Sequence, residues 1–275
     1  MQEPFLKQKD EYYIIKSWND RNKKVIAGFT TKNNGVSKSF NGTLNLAFHV
    51  KDNQEDVQQN RHHLASELGF SIEQWVSAEQ THEVNIKKID ERDKSKGALD
   101  YGSSIPRTDG FYSDSEDILL TMCYADCVPI FYFSPKAQRI GVVHAGWKGT
   151  TDGIAQKMAD MWAEEGISKE DILAVIGPSI CQKCYIVDEK VIDKVQKWVI
   201  DSKEMPYNEI STGQYELNLR KLNQIILENS GIPASNISVT ALCTSCDQEE
   251  FFSHRRDKGN TGRMLAFIGM KGELA

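Results

Sequence analysis

The chain reads as an α+β fold built on a single domain. Three observations predict it. Short β-branched and aromatic runs of strand length recur from Tyr12 to Ile268. Segments whose apolar residues fall on one helical face stand among them, at 54–68, 154–165, 188–200 and 217–229. No internal repeat, low-complexity tract or clear linker divides the 275 residues, so one domain is expected over 1–275.

Taken in order, Tyr12-Tyr13-Ile14-Ile15 and Val25-Ile26-Ala27-Gly28-Phe29 are two early strands, with Asn19-Asp20-Arg21-Asn22 as a hairpin loop between them. A polar loop from Thr30 to Ser37 and a semi-apolar stretch from Asn45 to Val50 follow. The spacing predicts a helix over 54–68, with Val57, Arg61, Leu64, Ala65 and Leu68 on one face and Gly69 as its stop. Trp75-Val76-Ser77 and His82-Glu83-Val84-Asn85-Ile86 predict strands around Ala78-Glu79-Gln80-Thr81. From Glu91 to Arg107 the chain is charged, then rich in Gly and Ser, and reads as a surface loop or a lid. Thr108–Tyr112 leads into a buried strand at Ile118–Met122.

Val128–Phe133 and Arg139–His144 then form a hairpin with Ser134-Pro135 as the break. Ile154, Met158, Met161 and Trp162 mark one face of the next helix, which stops at Gly166. Ser168-x-x-Asp171 resembles a capping box ahead of a strand at Ile172–Ile176. Helices at 188–200 and 217–229 and strands at Ile237–Leu242 and Met264–Ile268 complete the chain.

Composition narrows the function classes. Hydrophobic residues make up 40% and charged residues 26%, as in ordinary globular proteins. A net charge of −6 argues against nucleic acid or an anionic membrane as partner. No apolar run approaches the ~20 residues of a membrane helix, and the N-terminus lacks the apolar core of a secretion signal. A cytoplasmic location is the expectation. There the six cysteines would be thiols or metal ligands rather than structural disulfides.

The chemistry centres on the hairpin. Folded about a point between Pro135 and Lys136, it sets Cys127 opposite His144. Facing residues hold their Cβ atoms ~4.5–5.5 Å apart, close enough to share a metal. A catalytic zinc usually takes three protein ligands, and His82 fits best as the third, with His49 and His254 as alternatives. The same geometry would serve a Cys127 nucleophile with His144 as base. The bland reading is a buried small cysteine and a strand-capping histidine. Glu79 and Asp109 are candidate proton shuttles, and Asp126 should point to the opposite face of its strand.

Other motifs compete. Cys181-x-x-Cys184 and Cys243-x-x-Cys246 each have the spacing of half a zinc knuckle and together could make a four-thiolate site. The long interval between them favours ordinary reduced cysteines. From Ser253 to Arg263, Arg255, Arg256, Arg263 and Lys258 surround a Gly-containing turn that could hold phosphate or be a basic hairpin turn. Lys148 is another cation within reach of an anionic substrate.

With these residues in view, the chain resembles the YfiH/YlmD-type family, also called laccase-like or polyphenol oxidoreductase. The resemblance runs through Phe29-Thr30-Thr31-Lys32, Gly35-Val36-Ser37, Asn45-Leu46 and Asn60-Arg61. It continues through Glu79-Gln80-Thr81-His82, Thr108-Asp109-Gly110, Ala125-Asp126-Cys127-Val128-Pro129 and His144-Ala145-Gly146-Trp147-Lys148-Gly149, then Gly177-Pro178. It ends with Phe251-Phe252-Ser253-His254-Arg255-Arg256-Asp257 and Thr261-Gly262-Arg263-Met264. Lys32 and Asn34 stand where the family often has Arg and Gly.

The resemblance implies a mixed β-sandwich flanked by helices and a zinc on His82, Cys127 and His144. It also implies phosphorolysis of adenosine, inosine, guanosine and S-methyl-5′-thioadenosine, with deamination of adenosine. The partners would be purine nucleosides and phosphate. Arg255, Arg256, Lys148, Arg61 and Asn45 are the candidate substrate or phosphate contacts. Copper as Cu2+ is the alternative metal, with phenol oxidation as the older assignment. A metal-stabilised binding module is the reading without catalysis.

Overall fold

The computed structural model describes residues 2–200, 202 and 204–272. The chain opens with β1 (Phe5–Lys9) and β2 (Tyr12–Ile15), then α1 (Lys16–Arg21) and β3 (Val25–Thr30). β2 and β3 pair antiparallel as the hairpin reading requires, Tyr12 opposite Thr30. A short helix replaces the expected loop at 19–22. It has no side-chain cap and no acid in its first turn, but it buries Trp18 against Phe133, ring centroids 5.5 Å apart. Tertiary burial overrides a turn-forming local sequence here.

α2 (Gln54–Leu68) has the predicted bounds. The Asn53 side chain accepts the backbone N–H groups of Glu55 and Asp56, and Gly69 closes the helix at φ +65°. Then come β4 (Trp75–Ser77), β5 (Ile86–Lys88), β6 (Gly110–Ser113), β7 (Ile118–Tyr124), β8 (Val128–Ser134), β9 (Arg139–Ala145), α3 (Trp147–Thr151) and α4 (Ile154–Glu164). They are followed by β10 (Leu173–Ile176), β11 (Ile186–Asp188), α5 (Glu189–Gln196), β12 (Tyr207–Ser211), β13 (Gln214–Leu217), α6 (Leu219–Asn229), β14 (Ile237–Val239) and β15 (Met264–Met270).

Two six-stranded sheets carry the fold, ordered β1-β2-β3-β15-β7-β4 and β14-β10-β8-β9-β6-β5. They face each other across one core, where Phe29, Met122 and Tyr124 of the first meet Phe131, Phe133 and Val142 of the second. The period-two alternation of β8 explains why all of it is buried. Phe131 and Phe133 enter that core, while Val128, Ile130 and Tyr132 pack with Met158 and Trp162 of α4 and Leu222 and Ile226 of α6. α2 covers the outer face of the first sheet, with Leu64 and Leu68 packed among Leu119, Leu265 and Phe267. The result is a mixed β-sandwich flanked by helices.

A small sheet, β11-β13-β12, adds strands that the sequence reading left out. The loop at 91–107 is not a lid. Ala98 and Ile105 are buried, and the backbone of Ser77 in β4 bonds to both Lys96 and Ile105 of the loop.

The hairpin register differs from the count made on the sequence. Ser134 faces Arg139 and Pro129 faces His144. The turn is therefore Pro135–Gln138, closed by Gln138 at φ +47°, and Cys127 lies just before β8. Because the slip is two residues, side-chain parity is kept and Cys127 remains beside His144.

Candidate functional site

Three segments meet at the end of the hairpin. Cys127 follows Asp126, whose φ of +87° turns the chain into β8. His144 is the penultimate residue of β9 and is buried. His82 lies in the loop between β4 and β5, at φ +60°, so the strand expected at His82–Ile86 begins only at Ile86. The donor atoms of His82, Cys127 and His144 all lie within 4.8 Å of one another. The two imidazole rings meet edge to face, centroids 4.8 Å apart.

Asp109 holds this group together. Its buried carboxylate accepts the backbone N–H of Thr81 (3.1 Å), His82 (3.1 Å) and Glu83 (2.9 Å). The same group bonds His144 Nδ1 at 2.8 Å, which leaves Nε2 towards Cys127. Its backbone carbonyl takes the His144 N–H at 2.7 Å. One carboxylate thus fixes the His82 loop and the His144 tautomer, as carboxylates behind metal-binding histidines do. Those bonds set Asp109, weighed on the sequence as a proton shuttle, behind His144 and the His82 loop, and it does not line the cavity. Glu79 accepts the Arg107 N–H and does not line the cavity.

Electrostatics fit a thiolate among imidazoles. Burial alone would raise the Cys127 thiol, but the His144 and His82 rings bring it down to about 6. Burial would lower His144, yet Cys127 and Asp109 hold it up at about 9. A Cβ on Gly146 would come 3.1 Å from Cys127 Sγ and 3.3 Å from His82 Cδ2, so glycine keeps the space beside the donors clear. One thiolate and two imidazoles, one with its tautomer fixed, form a donor set suited to zinc. The group could hold a metal, and it could equally pair a Cys127 nucleophile with His144.

The three donors open into a cavity of about 390 Å³. Arg255 and Arg263 line it, together with Trp147, Tyr185, His49 and His254. The Arg255 guanidinium sits over the Tyr185 ring at 4.8 Å and donates to Ile186 O. The Arg263 Nη1 donates to Thr261 O and Gly262 O. His49 and His254 reach the cavity but stand outside the three-donor group.

The other sequence candidates lie elsewhere. Arg61, on the buried face of α2, gives its hydrogen bonds to Leu46 O, Ser77 Oγ, Gly97 O and Ala98 O. Arg256 is spent on Asp257 and on the carbonyls of Thr244, Ser245 and Phe251. Asn45 is buried, bonded to Ala47, Asp52 and the Arg263 N–H. Lys148 is exposed, its Nζ over the Trp147 ring. None of these four lines the cavity. Arg263 belongs there instead, and its Thr-Gly-Arg context in the basic segment was the signal. Trp147 was marked only by its place in the His144–Gly149 motif, and Tyr185 carried no functional signal in the sequence.

Comparison with known proteins agrees with this architecture. Residues 26–271 match the family described as multi-copper polyphenol oxidoreductase laccase. Purine nucleoside phosphorylase YlmD of Bacillus subtilis (strain 168) is 44% identical over 272 residues, 98% of either chain. The YlmD of Geobacillus stearothermophilus is 45% identical over 250 residues, 90% of this chain and 91% of that one. The crystal structure of YlmD from Geobacillus stearothermophilus superposes with a TM-score of 0.95 at 41% identity, covering 98% of this chain and 100% of that one. A Bacillus licheniformis protein, YfiH, gives a TM-score of 0.94 at 43% identity over the same shares.

Proposed function

The chain belongs to the family described as multi-copper polyphenol oxidoreductase laccase, and within it we propose that the protein is a zinc-dependent purine nucleoside phosphorylase. Its substrates are adenosine, inosine, guanosine and S-methyl-5′-thioadenosine, and it also deaminates adenosine to inosine. The observation that carries the reading is the His82–Cys127–His144 group opening into one cavity lined by two arginines and two aromatic rings. The cavity volume falls in the ~300–1,000 Å³ range of small-molecule sites. The names of the YlmD relatives support phosphorolysis. The family resemblance supports the nucleoside range and the deamination.

In phosphorolysis a phosphate oxygen bonds to C1′ while the C1′–N9 bond breaks, its electron pair leaving on the purine. Arg255 and Arg263 supply the charge-assisted donors for phosphate. The Trp147 and Tyr185 rings provide flat apolar surface for the base. His49 and His254 are the cavity imidazoles outside the three-donor group, and they supply the donor that the leaving purine needs. Asp109 keeps His144 Nε2 presented to the cavity by holding the proton at Nδ1. His82, Cys127 and His144 hold the zinc, which when bound supplies a Lewis acid that polarises oxygen and eases its deprotonation near neutral pH.

The family description favours a second reading, a copper phenol oxidase. Among the described residues, His82–Cys127–His144 is the one converging donor group that contains histidine, and the other is all cysteine. A multi-copper centre needs more imidazoles than that. The test is turnover of inosine and phosphate, and of adenosine to inosine, by metal-quantified protein before and after chelation and zinc return. Loss and recovery of both activities with zinc support the proposal. Turnover that survives complete metal removal would favour the Cys127 nucleophile, and phenol oxidation without nucleoside cleavage would favour the oxidase.

A further inference from the structure

The two Cys-x-x-Cys pairs meet, although Cys181 and Cys243 are 62 positions apart in the chain. The reason is topological. β10 and β14 are parallel neighbours, Ala174 opposite Ile237 and Ile176 opposite Val239. Both strands leave the sheet at the same end, and the ladder extends to a bridge between Ser179 and Cys243. The loop after β10 carries Cys181 and Cys184 on a short 3-10 turn. The loop after β14 carries Cys243 and Cys246. A long interval in sequence therefore does not keep the two pairs apart.

The four sulfurs lie within 4.8 Å of one another. Cys184 Sγ is 3.4 Å and Cys181 Sγ 3.8 Å from Cys246 Sγ. A disulfide needs ~2.05 Å, whereas a tetrahedron of sulfurs at ~2.3 Å from zinc has edges of ~3.8 Å. Two backbone N–H groups donate to Cys243 Sγ, from Cys181 at 3.2 Å and Cys246 at 3.3 Å. Such donors stabilise charged sulfur. The Arg220 side chain, fixed by Thr240 O and Leu242 O beneath the second loop, adds a cation close to Cys243 and Cys181.

We propose that Cys181, Cys184, Cys243 and Cys246 bind a structural zinc as a closed tetrathiolate site, distinct from the His82–Cys127–His144 group. All four positions are filled by protein, so the site is closed to substrate. Its role is to staple two loops that wall the cavity. Ile180 and Tyr185 flank the first pair and line the cavity. Thr244, inside the second pair, donates to Asp126 Oδ1 at 2.7 Å, while Arg255 N–H donates to Asp126 Oδ2 at 2.7 Å. The staple thus reaches the loop that presents Cys127 and the backbone that presents Arg255.

The test uses full-length His82→Ala/Cys127→Ala protein, in which the cavity group has lost two donors. Expressed with zinc and dialysed against metal-free buffer, it should keep about one zinc per chain with a sulfur-only shell at ~2.3 Å in zinc-edge X-ray absorption. Adding Cys184→Ser and Cys246→Ser should remove that zinc. If those further variants do not fold, the spectrum of the first variant still decides. A folded His82→Ala/Cys127→Ala protein that takes up no zinc overturns the proposal. So does a shell containing nitrogen, a metal other than zinc in the sulfur shell, or a disulfide between the pairs in anaerobically purified protein.

Discussion

Asp109→Asn should damage the site twice over, because no orientation of an amide can replace this carboxylate. Oδ1 serves His144 Nδ1 and the His82 N–H, and Oδ2 serves the Thr81 and Glu83 N–H groups. If the amide oxygen of the variant keeps the first pair, its NH2 faces the two donors of the second. If it keeps the second pair, its NH2 faces His144 Nδ1, which must then accept. The imidazole proton moves to Nε2, the atom needed by a metal. In the first orientation two part-buried donors lose an acceptor; in the second the His82 N–H loses its acceptor and the tautomer is wrong. At about 1–3 kcal/mol for each stranded group, the loss of stability is ~1–6 kcal/mol. Metal affinity should fall by ~10–100-fold, the usual effect of removing the group behind a ligating histidine. Chelator-competition titration of zinc and thermal unfolding of the same preparation measure both. An Asp109→Asn protein with unchanged zinc affinity and unchanged Tm would refute the assignment of Asp109 as the brace.

Three further outcomes are expected. In metal-free protein the Cys127 thiol, brought down to about 6 by its two imidazoles against the effect of burial, keeps its thiolate at lower pH than an ordinary cysteine. Its alkylation by iodoacetamide, followed by peptide mapping, should therefore fall off only below about pH 6; a midpoint no lower than the ~8.5 of a free cysteine would contradict the Cys127–His144 pairing. Arg263→Gln should raise the phosphate KM by about tenfold or more, equivalent to ~1.4 kcal/mol of lost charge-assisted bonding, while zinc content stays constant. An unchanged KM would remove Arg263 from the phosphate site. Arg61→Met should leave phosphate dependence alone and destabilise the fold by roughly 3–5 kcal/mol in denaturant unfolding, since it strands the carbonyls of Leu46, Gly97 and Ala98. A stable Arg61→Met protein with a raised phosphate KM would reverse that assignment.

Local chemistry was the legible part of the fold. α2 announces itself through its apolar face and Gly69, and the structure returns its bounds. α1 was not legible because its stabilisation is the burial of one tryptophan, Trp18, against Phe133 of a strand far along the chain. β12 and most of β13 are exposed or half-buried and carry no alternation to read. The hairpin register was missed by two residues because Ser134, read as part of the break, pairs with Arg139, which moves the centre of the turn one residue further along the chain.

In the site, residue type identified the converging group but not the roles of the cations. Arg61, Arg256 and Asn45 have the right chemistry for a phosphate, yet all three turn inward to carbonyls and carboxylates that the sequence does not mark. Arg255 reaches the cavity, and Arg263 joins it from the same basic segment. That the two cysteine pairs meet was hidden for the opposite reason. Their meaning depends on β10 and β14 being parallel neighbours, a fact of topology rather than of spacing.

The central claim is that the His82–Cys127–His144 cavity cleaves purine nucleosides with phosphate. Its most direct test is chromatographic measurement of hypoxanthine and ribose 1-phosphate from inosine, with and without phosphate, using zinc-quantified wild-type and Cys127→Ala proteins. The account predicts equimolar base and sugar phosphate from the wild type, formed only when phosphate is present, and neither from Cys127→Ala. Absence of base release at full zinc occupancy, or release that ignores phosphate, would contradict it.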